Sequence, residues 1–127
     1  HQLIFELNEN ISQTQADRIL PTIRRLRDRG LQFALDDMGT GMTNLRLLAD
    51  LEPTFIKMDI SLTRGIGDCV RKQALASYLL DLARKSDARL IAEGIETRED
   101  LDTVVELGVD YGQGHLIGEP REYDEYA

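Results

Sequence analysis

Apolar and polar positions along this chain follow two alternating rhythms. Short apolar runs of strand length occupy residues 3–7 (Leu-Ile-Phe-Glu-Leu), 31–36 (Leu-Gln-Phe-Ala-Leu-Asp), 54–59 (Thr-Phe-Ile-Lys-Met-Asp) and 89–93 (Arg-Leu-Ile-Ala-Glu), with a fifth near 109–112. Between these runs apolar residues recur at helical spacing. Ile19, Leu20, Ile23 and Leu26 form one stripe, and Leu45, Leu48 and Leu51 form a short second one. Ala74, Leu75, Tyr78, Leu79 and Leu82 are predicted to face inward on a helix over about 68–85. Leu101, Val104 and Val105 form the last stripe. The punctuation agrees. Ser12 with Gln15 makes a capping box, Thr97 caps the last helix, and Gly30, Pro53 and Gly108 stop helices. Pro21 predicts a kink or a late start in the first helix.

Strands that alternate with amphipathic helices pair in parallel, because a parallel connection needs a crossover. Strand starts fall near 3, 31, 54, 89 and 109. Five such strands make either a small open α/β sheet or part of an eightfold barrel. The chain has 127 residues, enough for one domain with one hydrophobic core. At 42% apolar and 30% charged, it has the composition of an ordinary globular protein.

No apolar run approaches the roughly 18 residues of a membrane span, so direct membrane contact is not expected. The start, His1-Gln2-Leu3-Ile4-Phe5-Glu6, lacks the basic and apolar regions of a signal peptide. It has no Met and enters a strand at once, so the chain is expected to begin inside a longer domain. The net charge of −8, from 15 basic and 23 acidic residues, argues against a nucleic-acid polymer as partner. Arg24, Arg25, Arg27 and Arg29 read as a solvated helix face. Cys69 is the single cysteine, so no intrachain disulfide forms, as expected of a cytoplasmic protein.

Chemistry collects where the strands end. The first strand carries Glu6 and leads to Asn8 and Glu9; the second ends in Asp36-Asp37. The third ends in Lys57 and Asp59, the fourth in Glu93 with Glu96 beyond, and Gln113 follows the fifth. In parallel βα proteins these ends converge on one face, where the active site lies. Alternation sends Lys57 and Asp59 to one side of their strand, where burial demands a partner or a use. Asp36 and Asp37 repel one another unless cations intervene. Taken singly, the first pair also reads as a salt bridge and the second as a polar turn. Together the acids supply hard oxygen ligands, which favour Mg²⁺, Mn²⁺ or Ca²⁺ over zinc. Such a rim suits two metals about 3.5–4 Å apart in phosphoryl chemistry. Gly39-Thr40-Gly41 is too short for a phosphate-cradling fingerprint and reads as a loop over the site. His115 has no partner at ligand spacing, and Cys69 reads as an inert helix residue.

The motifs Glu6-Leu7-Asn8-Glu9, Asp36-Asp37-Met38-Gly39-Thr40-Gly41, Lys57-Met58-Asp59, Ala92-Glu93-Gly94-Ile95-Glu96 and Gln113-Gly114-His115 stand in the order found in the EAL domain family, which the chain resembles from about Leu3 to Pro120. Met38 stands where the family usually has Phe, and His115 where it has Tyr. The resemblance implies the C-terminal part of a single (β/α)8 barrel domain spanning residues 1–127. It implies hydrolysis of cyclic-di-GMP to linear pGpG at a site holding two Mg²⁺ or Mn²⁺ ions. Glu6 and Asp36 would bind the first metal; Asp36, Asp37 and Glu93 would hold the second. Glu93 would also be a candidate base, Lys57 would position the attacking water, and Asp59 would orient Lys57. Gln113 would touch substrate, while Glu9 and Glu96 would steady the loop after Asp37. A homodimer and an upstream sensory or GGDEF domain are compatible with the resemblance.

The family's Glu-Ala-Leu strand and a later metal-binding Asn do not occur in these residues, so weak or no activity is expected of the 127-residue chain alone. Two alternatives stand beside the enzyme: an inactive EAL-like module that senses cyclic-di-GMP, and an enolase-like barrel with a Lys base and carboxylate-bound Mg²⁺. The presence of Lys57 and of every acid that these residues can supply favours the phosphodiesterase over the first, and the upstream Glu discriminates between them. The adjacent Asp pair and the Gln disfavour the second.

Overall fold

The structure is a computed structural model and describes residues 3–8, 11–38 and 45–118. Five strands alternate with helices. They are β1 (Ile4–Asn8), β2 (Gln32–Met38), β3 (Phe55–Met58), β4 (Arg89–Ala92) and β5 (Tyr111–Gly112). The helices are α1 (Gln13–Asp28), α2 (Leu45–Leu51), α3 (Ile60–Thr63), α4 (Val70–Lys85) and α5 (Arg98–Leu107). All strand pairs are parallel and the order is β1-β2-β3-β4-β5, with no reversal. A doubly wound open sheet reverses its strand order partway. Sequential order instead makes one arc of a (β/α)8 barrel, with the crossovers on a single face.

The register is simple at first. Phe5 faces Phe33, Leu7 faces Leu35 and Asn8 faces Asp36 across β1 and β2. Phe33, Leu35, Ile56, Met58, Leu90 and Ala92 are buried and pack with Leu20 and Ile23 of α1, Leu47 and Leu51 of α2, and Leu80 of α4. Leu3, Ile4 and Phe5 on the β1 edge stay exposed, as does Tyr111 on β5.

The capping box at Ser12 forms as expected: its hydroxyl accepts from Gln15 N, and the Gln15 side chain accepts from Ser12 N. Pro21 neither delays nor ends α1, which runs through it. Pro21 and Asp17 both lie on the exposed side, where water meets the carbonyl that proline leaves without an N–H partner. The inward stripe of α4 differs from expectation. Ala76, Leu79, Leu80 and Ala83 are buried, whereas Ala74 is exposed, Leu75 and Tyr78 are half exposed, and Leu82 is only partly covered. This helix is apolar on two sides, and small Ala76 and Ala83 let it approach the sheet closely, which favours their side. Residues 66–68 form a separate 3-10 turn, so α4 begins at Val70 with Cys69 as its N-cap rather than inside it. On α5, Val104 is buried but Val105 is exposed.

Candidate functional site

Period-two alternation decides which side chains meet. If the helix-facing positions are 33, 35, 56, 58, 90 and 92, then Glu6, Ala34, Asp36, Lys57, Ile91 and Glu93 take the other face. Glu93 extends the β4 ladder by donating its N–H to Met58 O at 3.2 Å. This parity brings acids from β1, β2 and the end of β4 around one lysine of β3.

Lys57 is buried at 7% exposure. Its Nζ lies 2.7 Å from Glu6 Oε1, 2.8 Å from Glu93 Oε1 and 3.8 Å from Asp36 Oδ1. Burial alone would drive the ammonium pKa down, but hydrogen bonds to Glu6 and Glu93 and the charges of Glu93 and Asp36 outweigh it and raise it. Lys57 is therefore a fixed positive charge. Glu93 is also shifted upward, although a simple ion pair would lower it. Burial is the largest cause and the Asp36 carboxylate adds to it, so they overcome the lysine. One cation is shared among too many acids.

Asp36 and Asp37 converge because the strand breaks its regularity between them. The β2–β3 register shifts between Leu35 and Met38, and Asp37 adopts φ 60. That left-handed conformation is tolerated by Asp more readily than by most residues. Asp36 Oδ1 accepts from Asp37 N at 2.8 Å. One carboxylate oxygen each from Asp36, Asp37 and Glu93 lies within 4.8 Å of the others. Asp37 is raised by burial first, then by the charges of Asp36 and Asp59, while a hydrogen bond from Asn8 opposes the rise. Asp59 shifts the other way: burial raises it, but Ser61, Asp37 and backbone donors pull it down. The two carboxyls of the Asp37–Asp59 pair are thus pushed in opposite directions, Asp37 up and Asp59 down.

β3 ends at Met58, one residue earlier than expected, and this redirects Asp59. Its carboxylate caps α3 by accepting from Ser61 N at 2.8 Å. The acids on Lys57 are Glu6, Glu93 and Asp36, while Asp59 faces Asp37 and Ser61, so the structure does not bring Asp59 onto Lys57.

The outer residues fall into two groups. Glu96 pairs with Arg64, at the C-terminal end of α3. Gln113 is exposed, and its backbone stitches β5 to the Glu93 turn: Gln113 N donates to Ala92 O at 2.9 Å and Ile95 N donates to Gln113 O at 3.1 Å. Gly114 permits this approach, since a Cβ there would lie 2.3 Å from Ile95 N and O. Glu9 and the Gly39-Thr40-Gly41 loop lie outside the described residues. His115 is exposed.

Two contributors had no role assigned from sequence, Asn8 named only as a residue at the end of the first strand and Asp100 not named at all. Asn8 donates to Asp37; alternation from Glu6 could have put it on the acidic face. Asp100 is 5% exposed and accepts from Gly65 N at 3.1 Å and Gly67 N at 3.0 Å, which fixes the turn after α3. Its only sequence signal was its place in the first turn of α5.

The donor set fits a hard divalent cation. Asp36, Asp37 and Glu93 offer only carboxylate oxygens and are partly buried. Two of these acids, Asp37 and Glu93, are pushed toward their neutral forms by burial and by the Asp36 charge. A divalent cation among them would remove that repulsion and hold all three ionised.

Residues 1–120 match the EAL domain family. A curated relative, cyclic di-GMP phosphodiesterase PdeF of Escherichia coli (strain K12), is 34% identical over 120 residues, covering 94% of this chain and 16% of that protein. Cyclic di-GMP phosphodiesterase PA2567 of Pseudomonas aeruginosa is 35% identical over 118 residues, covering 93% of this chain and 20% of that protein. The chain therefore spans a fifth or less of these relatives' length. Among solved structures, the PaMucR phosphodiesterase in complex with c-di-GMP superposes with a TM-score of 0.86 at 28% identity, covering 98% of this chain and 51% of that one. BlrP1 of Klebsiella pneumoniae, solved with manganese and cyclic-di-GMP, gives 0.81 at 31% identity, covering 89% of this chain and 29% of that one. The motif order, the sequential parallel arc and the acidic rim around Lys57 agree with these matches: the chain belongs to the EAL domain family.

Proposed function

We propose that residues 1–127 are the C-terminal part of a single EAL-type barrel domain that hydrolyses cyclic-di-GMP to linear pGpG with the help of two Mg²⁺ or Mn²⁺ ions. The observation that carries this reading is the meeting of Asp36, Asp37 and Glu93 oxygens within 4.8 Å, beside a buried and protonated Lys57. The ions, when bound, supply charge stabilisation at the phosphodiester and a more acidic water.

The chain's own residues do the rest. Asp36, Asp37 and Glu93 hold one cation, and Glu6 joins Asp36 on the other. Lys57 stays charged and donates hydrogen bonds, so it can orient the attacking water or a phosphate oxygen. Glu93, raised by burial and by Asp36 and bonded to Lys57, is suited to accept that water's proton. Asp59 acts through α3 and Asp37 rather than on Lys57. Gln113 stands beside the Glu93 turn, at the substrate edge. Glu96 and Glu9 steady neighbouring loops, Glu96 through Arg64.

A cytoplasmic location accords with the unpaired Cys69 and with the nucleotide substrate. No described helix is long and apolar enough to cross a membrane. A homodimer and an upstream sensory or GGDEF domain remain compatible with this assignment.

Turnover of cyclic-di-GMP by the complete domain, with and without EDTA, tests the proposal. Chelation is expected to abolish hydrolysis, and added Mn²⁺ to restore it. Full activity in EDTA would end the metal mechanism. Binding of cyclic-di-GMP without any turnover in Mn²⁺ would instead establish the sensor alternative.

A further inference from the structure

Asn8 closes β1 at the level of the acidic rim, paired in register with Asp36. Its amide Nδ2 donates to Asp37 Oδ2, across from the strand that carries the ligand pair. Asp37 needs such a hold. It sits in the left-handed region at φ 60, beyond a shift in the sheet register, so its side chain direction is not fixed by a regular strand. Acids crowd it: Asp36 and Glu93 have oxygens within 4.8 Å, and Asp59 is hydrogen-bonded to it. In that field repulsion pushes the carboxylate toward solvent, and a donor aimed at one of its oxygens opposes that push. A lysine or arginine would hold it, but would compete with a cation for the same oxygens. A neutral amide directs one oxygen while adding no net charge. Among the described acids of the cluster, Asp36 is held by a backbone N–H and Glu93 by Lys57. Asp37 takes its side-chain donor from Asn8.

We propose that Asn8 is a positioning residue that aims the Asp37 carboxylate into the divalent-cation site through its Nδ2–H···Oδ2 hydrogen bond. This rests on reading Asp36, Asp37 and Glu93 as cation ligands. Partners that orient metal ligands typically change ion affinity by about 10–100-fold when removed.

The experiment measures Mn²⁺ affinity of the complete domain by the electron paramagnetic resonance signal of free Mn²⁺, alongside thermal unfolding in EDTA. The variants are Asn8→Leu, which keeps shape without the donor, and the smaller Asn8→Ala. Both are expected to bind Mn²⁺ about 10–100-fold more weakly, with unfolding in EDTA unchanged from the parent. If either folded variant binds Mn²⁺ as tightly as the parent, the inference is overturned. It is equally overturned if both variants lose stability in EDTA, because Asn8 would then serve the fold rather than the ion. If the unmutated domain itself binds no Mn²⁺, the ligand reading fails and this inference falls with it, a result that is distinct from parent-like binding by the variants.

Discussion

Replacing Lys57 by Met keeps the aliphatic stem and removes the one ammonium in the acidic rim. Its Nζ lies 2.7 Å from Glu6, 2.8 Å from Glu93 and 3.8 Å from Asp36. Taking one partner from a fully buried ion pair costs about 3–5 kcal/mol, mostly from the charge left behind. Here the acids keep some water: the Glu6, Asp36 and Glu93 side chains are 50%, 23% and 22% exposed. Screening reduces the expected loss to about 1–3 kcal/mol at pH 7 without metal. The pH dependence has a definite sign. Without the ammonium, the folded Glu93 carboxyl, already raised by burial and by Asp36, loses the one influence that lowers it and rises further. That penalty is full above the folded pKa and disappears as the pH falls below the unfolded carboxylate range, near about 4. The gap between variant and parent should therefore narrow on acidification. It should also narrow in Mn²⁺, because an ion replaces the lost charge. Urea unfolding of the complete domain in EDTA at pH 7 and pH 5, and again in Mn²⁺, measures all three effects. Hydrolysis should fall by about 100-fold or more with the water no longer held. Equal stability in EDTA at pH 7, or a gap that widens as the pH falls, would refute the role given to Lys57.

Asp100→Asn should destabilise the domain by about 1–3 kcal/mol at pH 7, because a neutral oxygen replaces a carboxylate that accepts from Gly65 N and Gly67 N. Burial pushes the Asp100 carboxyl up, but those two donors, Thr97 and Lys72 hold it below its usual range. Its stabilisation is therefore full above the unfolded value near about 4 and fades as the pH falls through the folded one. Denaturation of variant and parent should converge in acid, and a gap that persists there would contradict this account. Gly114→Ala should cost about 1–3 kcal/mol, since its Cβ would meet Ile95 backbone at 2.3 Å. It should also lower turnover by displacing the Glu93 turn. Turnover equal to the parent's in a folded Gly114→Ala domain would show that the β5 stitch does not set Glu93.

The fold was legible because its signals were local and redundant. Ser12, Thr97 and Gly108 each mark a boundary by a mechanism that acts within four residues, and each cap stands where the sequence puts it. The parallel arc followed from strand length and the crossovers between strands. The inward face of α4 was not legible: Leu75 and Tyr78 carry far more apolar surface than Ala76 and Ala83, yet Ala76 and Ala83 are buried with Leu79 and Leu80 while Leu75 and Tyr78 stay half exposed. Only the distance between helix and sheet decides that choice, and it is a tertiary quantity. At the site, alternation brought Glu6, Asp36, Lys57 and Glu93 together correctly. It misdirected Asp59, because alternation holds only while the strand lasts and β3 stops at Met58. Asp37 joins the acids through a turn at the end of β2, as an adjacent Asp pair at a strand end allows, although its left-handed φ of 60 had no sign in the sequence.

The charge balance of the rim bears on why some of its acids follow strand geometry and others leave it. Glu6, Asp36 and Glu93 gather around one ammonium, while Asp37 and Asp59 crowd together beside them. A rim selected for stability alone would not keep that surplus: burial and the charge of Asp36 raise both Asp37 and Glu93, and Asp37 adds backbone strain. Each cost falls if divalent cations occupy the space between the acids, since positive charge then repays desolvation, repulsion and strain at once. The places where regular strand geometry fails are therefore the places where an ion would be bound. Asp36 and Glu93 are delivered by ordinary alternation and β pairing. Asp37 must leave the strand to reach them, and the register shift after Leu35 lets it do so.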